Sequence, residues 1–179
     1  MSLKSAIRDL FEGGQMGASP AGKTAPAFSL KNLDGSQVSL AEALKKGPVL
    51  AAFFKVNCPT CQFTFPFLKR LFETYGDSKF TLWGISQNDA ADTREFCREF
   101  GIRFPVLLDA HGYPASNQYG ITTVPTLFLI SAEGNIQQTS VGFVKADLEK
   151  MAAEAARATG KPAVPLFKAG EVIPESKPG

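Results

Sequence analysis

Two cysteines three residues apart, in Cys58-Pro59-Thr60-Cys61, are the side chains of this sequence best suited to chemistry. A thiol attacks only as thiolate, and that form is favoured beside a helix N-terminus or a cation. Cys58 follows an apolar run over 49–56 and immediately precedes an expected helix start at Pro59. The unpaired N–H groups of that first turn favour negative charge on its sulfur. Cys61 lies on the same helical face, because residues i and i+3 are neighbours. A pair so placed can form a mixed disulfide on one sulfur and resolve it with the other. The chemistry predicted is dithiol–disulfide exchange, with Cys58 attacking and Cys61 resolving. Two ordinary core cysteines are the plain alternative, and the strand-then-helix context argues against it.

The remaining candidates are weaker. Cys97, flanked by Phe96 and Phe100, reads as a buried inert thiol, with a resolving partner for Cys58 as the sharper option. His111 is the single histidine and sits in a turn-like stretch beside Gly112. A structural zinc site would need Cys58, Cys61, Cys97 and His111 together, so it is disfavoured. Lys55, three residues before Cys58, is the candidate for stabilising a thiolate there, against a lysine that merely reaches solvent from a strand end. No glycine-rich phosphate loop appears, and no bound cofactor is required. With 19 basic and 17 acidic residues in 179, and no basic stripe, neither a nucleic-acid nor a membrane partner is indicated. No apolar stretch approaches the roughly 18–20 residues that span a bilayer. The first residues lack a long apolar stretch of the secretory kind, so a cytoplasmic setting is expected, or a periplasmic one if a leader was removed.

These side chains need a scaffold, and the pattern supplies one. Residues 3–12 read as a short amphipathic helix, and Asp34-Gly35 sits at the turn of a hairpin over 28–40. A helical turn is expected over 40–46, a doubly buried strand over 49–56, and a helix from Pro59 to about Tyr75, kinked at Pro66. Phe63, Phe67, Leu68, Leu71 and Phe72 should face inward on it. Strand 80–85 (with Trp83 in the core), helix 89–100, strand 106–108 and a short helix over 114–119 follow. Strands 126–130 and 136–141 form a second hairpin around Gly134, and a last helix covers 145–158. Strand–helix–strand units imply mostly parallel pairing with antiparallel edges. From Gly160 onward there are four Pro in twenty residues, so that tail should be extended or loosely packed.

Phe53-Phe54-Lys55-Val56-Asn57-Cys58-Pro59-Thr60-Cys61, followed by Phe65-Pro66, resembles the active-site segment of thioredoxin-like proteins, and more narrowly the TlpA/ResA-like and AhpC/TSA (redoxin) group. Ala25-Pro26-Ala27-Phe28-Ser29-Leu30, Phe104-Pro105-Val106-Leu107-Leu108-Asp109 and Val124-Pro125-Thr126-Leu127-Phe128-Leu129-Ile130 are similar to other segments of that group. The resemblance covers about residues 25–158. It implies an α/β thioredoxin fold, a central mixed sheet flanked by helices with an N-terminal β-hairpin extension. It also implies a cis Pro125 facing the cysteines, so that Pro125, Thr123 and Val124 shape a groove where an extended substrate pairs with backbone. Residues 1–24 are then a helix and linker, 25–158 the domain and 159–179 a proline-rich tail.

Departures from the group bear on function. The buried acid of thioredoxins is Ala52 here, and the Glu of ResA-like proteins is Thr64, so no base for Cys61 is visible. Peroxiredoxins often show Cys-Pro-Thr too, but their Pro, Thr or Ser, and Arg fall at Ala51, Lys55 and near Pro125. The expectation is a thiol–disulfide oxidoreductase serving cell redox homeostasis. Its partners would be thiol or disulfide protein substrates and a small-thiol or thioredoxin-type reductant. A peroxiredoxin-like antioxidant peroxidase using Cys58 and a non-enzymatic binding module are the alternatives.

Overall fold

The computed structural model describes residues 17–179. The helix expected over 3–12 lies outside them. Two short strands, Ser29–Asn32 (β1) and Gln37–Ser39 (β2), form the expected hairpin. At its turn the Ser36 amide donates to the Asp34 carboxylate at 2.8 Å, the local bond that suits Asp to turns. Next come Leu40–Leu44 (α1), Val49–Phe54 (β3), Pro59–Tyr75 (α2), Thr81–Ser86 (β4), Ala90–Glu99 (α3), Val106–Leu108 (β5) and Pro114–Gln118 (α4). They are followed by Thr126–Ile130 (β6), Ile136–Val141 (β7), Phe143–Val144 (β8), Lys145–Thr159 (α5) and Ser176–Lys177 (β9).

The main sheet has seven strands in the order β2-β1-β5-β4-β3-β6-β7. β4 runs parallel to both β3 and β5. The other pairs are antiparallel, including β6 beside β3. The sheet is therefore mixed, and the expectation of mostly parallel pairing is corrected. A strand buried on both faces is apolar throughout whichever way its neighbour runs, so its composition does not report direction.

Side chains of β3 alternate between two cores. Leu50, Ala52 and Phe54 join the cluster under α2, α3 and α5, whereas Val49, Ala51 and Phe53 join one built with Phe28, Leu40, Trp83 and Tyr119. Helices thus cover both faces, and all six side chains are fully buried. The Phe54 and Phe65 rings, 4.3 Å apart, seat α2 on the sheet. Of the residues expected inward on α2, Phe67, Leu68 and Leu71 are buried. Phe63 and Phe72 lie partly exposed at the margin, and Phe65 and Tyr75 are buried instead. α2 is covered by the sheet on one side and by α5 and the tail on another, so its apolar face is wider than one stripe. The helix runs on through Pro66, which has no N–H to offer the Gln62 carbonyl.

Beyond Gly160 the chain turns back along α2. Leu166 is buried, and the Phe167 ring lies 5.0 Å from that of Phe67. Arg70 holds the Glu171 carboxylate with two N–H···O bonds of 2.8 and 2.5 Å. The tail is extended, as its prolines require, but it is packed rather than loose.

Candidate active site

β3 ends at Phe54, and four residues later Cys58 is the N-cap of α2, with Pro59 in the first turn. Proline suits that position because its missing N–H would be unpaired there anyway. The turn is tied down from several directions. The Cys58 amide donates to the Lys55 carbonyl at 3.3 Å, and Gln62 N to the Cys58 carbonyl at 3.0 Å. Val56 N donates to Asn88 Oδ1 at 3.0 Å, and Gln62 Nε2 to the Val56 carbonyl at 2.9 Å. Asn88 is itself held, since its amide donates to Ser86 Oγ at 3.1 Å and Ser86 Oγ lies 2.7 Å from Thr93 Oγ1.

The Cys58 sulfur has two polar neighbours. The Cys61 amide donates to Sγ at 3.2 Å, and the Cys58 thiol donates to the Val124 carbonyl at 3.3 Å. The first contact gives the sulfur an N–H donor at the positive end of the helix dipole, where negative charge is favoured. The second is given up on ionisation, which frees the Val124 carbonyl to accept a bond from an incoming chain. No acidic residue in the first turn of α2 opposes that charge. Cys58 is half-buried, so a disulfide can reach it.

Cys61 is fully buried. Burial pushes its thiol well above the ordinary thiol range, and the hydrogen bond with Cys58 adds to the shift. Ala52 is buried in the same cluster, and the Thr64 hydroxyl is committed to the Thr60 carbonyl at 2.7 Å. Burial thus favours the neutral thiol at Cys61. All three cysteines are free thiols.

The Val124–Pro125 bond is cis, the isomer that the resemblance implies, and Pro125 is buried. Thr123, Val124 and Pro125 stand against the cysteines through the Val124 carbonyl, and Gly142 N donates to the Pro125 carbonyl at 2.8 Å. Lys55 is exposed. Cys97 stands apart, half-buried on α3, where burial pushes its thiol to about 11. His111 is exposed, and among the described residues no three His, Cys, Asp or Glu side chains gather as a metal site requires.

Residues 21–139 match the AhpC/TSA family. The chain belongs to that family. Among curated relatives, the thiol-disulfide oxidoreductase ResA of Halalkalibacterium halodurans is 30% identical over 123 residues, 68% of this chain and 69% of that protein. The thioredoxin domain of a thiol-disulfide oxidoreductase from Bacteroides vulgatus is 25% identical with a TM-score of 0.67, over 76% of this chain and 98% of that one. Peroxidoxin BcpB from Mycobacterium tuberculosis gives a TM-score of 0.65 at 21% identity, over 78% and 97%. The fold of this AhpC/TSA protein is therefore the thioredoxin fold, a mixed sheet flanked by helices.

Two residues around the cysteines, Gln62 and Asn88, lay outside the expectations, and Thr60 was expected only as part of the Cys58-Pro59-Thr60-Cys61 spacing. Gln62 had a local signal, a polar residue one turn from Cys58. Asn88 had none, because it is 32 residues from the Val56 amide that it accepts. Thr60 Oγ1 donates at 2.6 Å to the carbonyl of Pro178, a partner 118 residues away that no local pattern announces.

Proposed function

We propose that this AhpC/TSA protein is a thiol–disulfide oxidoreductase that works through Cys58-Pro59-Thr60-Cys61 in cell redox homeostasis. One observation carries the reading. A half-buried thiol caps a helix and receives the Cys61 amide, while the second thiol of the pair lies fully buried one turn behind it. The Cys58 thiolate attacks one sulfur of a substrate disulfide. A Cys58–substrate disulfide forms, and the expelled substrate thiolate takes up a proton. Cys61 then loses its proton and attacks Cys58 Sγ, closing the Cys58–Cys61 disulfide and releasing the second substrate thiol. Two electrons pass from the pair to the substrate, and a small-thiol or thioredoxin-type reductant returns them. Run backwards, the same steps oxidise a dithiol. The partners are disulfide-bearing or dithiol polypeptides, drawn along the backbone beside Pro125. Peroxidase chemistry has less support, because Ala51, Lys55 and the region of Pro125 stand where peroxiredoxins carry Pro, Thr or Ser, and Arg.

Insulin reduction tests the reading. Cys58→Ser should abolish turnover, and Cys61→Ser should accumulate a mixed disulfide on Cys58 that mass spectrometry detects. Undiminished insulin reduction by Cys58→Ser would sink the assignment. Fast oxidation of Cys58 by hydrogen peroxide, without insulin turnover, would favour the peroxidase instead.

A further inference from the structure

The segment after Glu171 crosses the molecule to the backbone beside Pro125. Its route is built from backbone contacts. Lys145 N donates to the Glu175 carbonyl at 2.9 Å. β9 pairs antiparallel with β8, setting Phe143 opposite Lys177 and Val144 opposite Ser176. The Lys177 ammonium lies 5.2 Å above the Phe63 ring. The Pro178 carbonyl takes the Thr60 hydroxyl, from the residue between the two cysteines. Gly179 lies so close to the Val124 carbonyl that a Cβ there would collide with it, and would come 2.5 Å from Thr123 Cγ2. Gly142, at φ 74°, presents bare backbone to the same segment, for a Cβ on it would stand 2.5 Å from the Lys177 carbonyl. One corner thus gathers the Cys58 thiol, the Val124 carbonyl, Thr60 and residues 177–179.

Anchoring divides the tail in two. Residues up to Glu171 are held by buried Leu166, by Phe167 and by the Arg70 pair. The Val164 amide adds a 2.8 Å bond to Tyr75 Oη. Past that point the attachment is lighter, with Ile173 partly buried against the core and Lys145 paired with Glu175 at 3.7 Å. Val172 is 98% exposed, and Ser176, Pro178 and Gly179 are exposed as well. The second part, the tip, hangs from a fixed tether, joined by a two-residue ladder, the Lys145–Glu175 contacts, Lys177 over Phe63, one hydroxyl and close backbone contact.

We propose that residues 172–179 are a tethered occupant of the substrate groove, holding the strand position that a polypeptide substrate must take. The proposal rests on the oxidoreductase reading above and adds to it the class of substrate that is gated. Extended polypeptides enter by lifting the tip from Thr60, Val124 and β8. Small disulfides need no strand pairing and reach the half-buried Cys58 with the tip in place. A tethered competitor sits at an effective concentration in the millimolar range, enough to raise the KM of a groove-dependent substrate on the order of tenfold.

The experiment compares four forms: the full chain, Lys177→Pro, which removes an amide donor from the ladder, Gly179→Leu, which collides with Val124, and a chain lacking residues 172–179. Each is assayed with insulin and with hydroxyethyl disulfide. In the three altered chains the insulin KM should fall on the order of tenfold with kcat unchanged, while the rate with hydroxyethyl disulfide stays within about twofold. A synthetic peptide of residues 172–179 added to the shortened chain should compete with insulin and not with hydroxyethyl disulfide. If the shortened chain fails to fold, the two point variants give the KM result. Equal insulin KM in all forms, with turnover still dependent on Cys58, would overturn the occupancy proposal alone. Absence of Cys58-dependent turnover with either disulfide in every form would overturn the oxidoreductase reading and this proposal together.

Discussion

Neighbouring parallel strands β3 and β4 each run into a helix at the same edge of the sheet, with Phe54 opposite Ser86 at their ends. Both helices are capped alike in outline. At the first, the amide three residues on donates to Cys58 Sγ at 3.2 Å; at the second, the Asp92 amide donates to Asp89 Oδ1 at 2.9 Å. The difference lies in the atom that accepts. A carboxylate is a strong, charge-assisted cap that complements the helix dipole. A thiol is a weak acceptor, so it satisfies the N-terminus of α2 less well than a carboxylate would. On the proposed function, one junction serves stability and the other reactivity. The stable junction also supports the reactive one, because Asn88, beside the Asp89 cap, accepts the Val56 amide.

The widest separation between the junctions should come from replacing each cap. Asp89→Ala should destabilise the fold by about 1 kcal/mol, lowering Tm by about 2–4 °C, with insulin turnover unchanged. Cys58→Ser offers the helix a better cap of nearly the same size, so it should hold or raise stability by up to about 1 kcal/mol while turnover disappears. Thermal unfolding beside the insulin assay reads both. Loss of stability in Cys58→Ser equal to that in Asp89→Ala would mean the thiol is as much a structural cap as the carboxylate.

A smaller separation is expected among the thiols. Iodoacetamide should label Cys58 first. Burial holds Cys97 at about 11, so its thiolate becomes abundant only as pH rises toward that value. Near pH 8 it should react on the order of a hundredfold more slowly than an ordinary thiol with a pKa near 8.5. Cys61, raised further and fully buried, should be last. Peptide mapping after timed alkylation between about pH 7 and pH 11 gives the order. Labelling of Cys97 or Cys61 ahead of Cys58 would break the link between cap position and reactivity.

What the sequence disclosed follows the range over which its signals act. The turns at Asp34-Gly35 and Gly134, the helix start near Asp89 and the apolar run over 49–56 are local, and each marks an element within a few residues. The Cys58-Pro59-Thr60-Cys61 spacing is local too, and Pro125 followed from resemblance. Contacts that join distant segments were not legible. β6 runs antiparallel to β3, yet either direction gives the same apolar run. Asn88 and Val56 are linked only by folding. The prolines of the tail foretold extension, but its course over α2 depends on Arg70 meeting Glu171, 101 residues away. Phe65 is buried because Phe54, Phe96 and Phe104 close around it, while Phe63 meets Phe67, Phe143 and the Lys177 ammonium at the margin, so the periodicity of the helix alone could not rank them.

The least effect should come from Lys55, whose type and position invite a large one. A cation three residues before the reactive thiol would favour the thiolate if its ammonium stayed near the sulfur in a poorly solvated site. Lys55 is exposed, however, and an exposed charge is screened over a Debye length of about 8–10 Å at ordinary salt. Its main chain carries the structural duty instead, since the Lys55 carbonyl accepts the Cys58 amide at 3.3 Å, and that bond does not depend on the side chain. Lys55→Ala should therefore slow alkylation of Cys58 by less than about twofold at low salt, with the difference vanishing near 1 M salt. Rates at two ionic strengths distinguish the cases. A tenfold loss that persists in high salt would place the ammonium at the sulfur during reaction, and Lys55 would then join the helix N-terminus as a determinant of Cys58 reactivity.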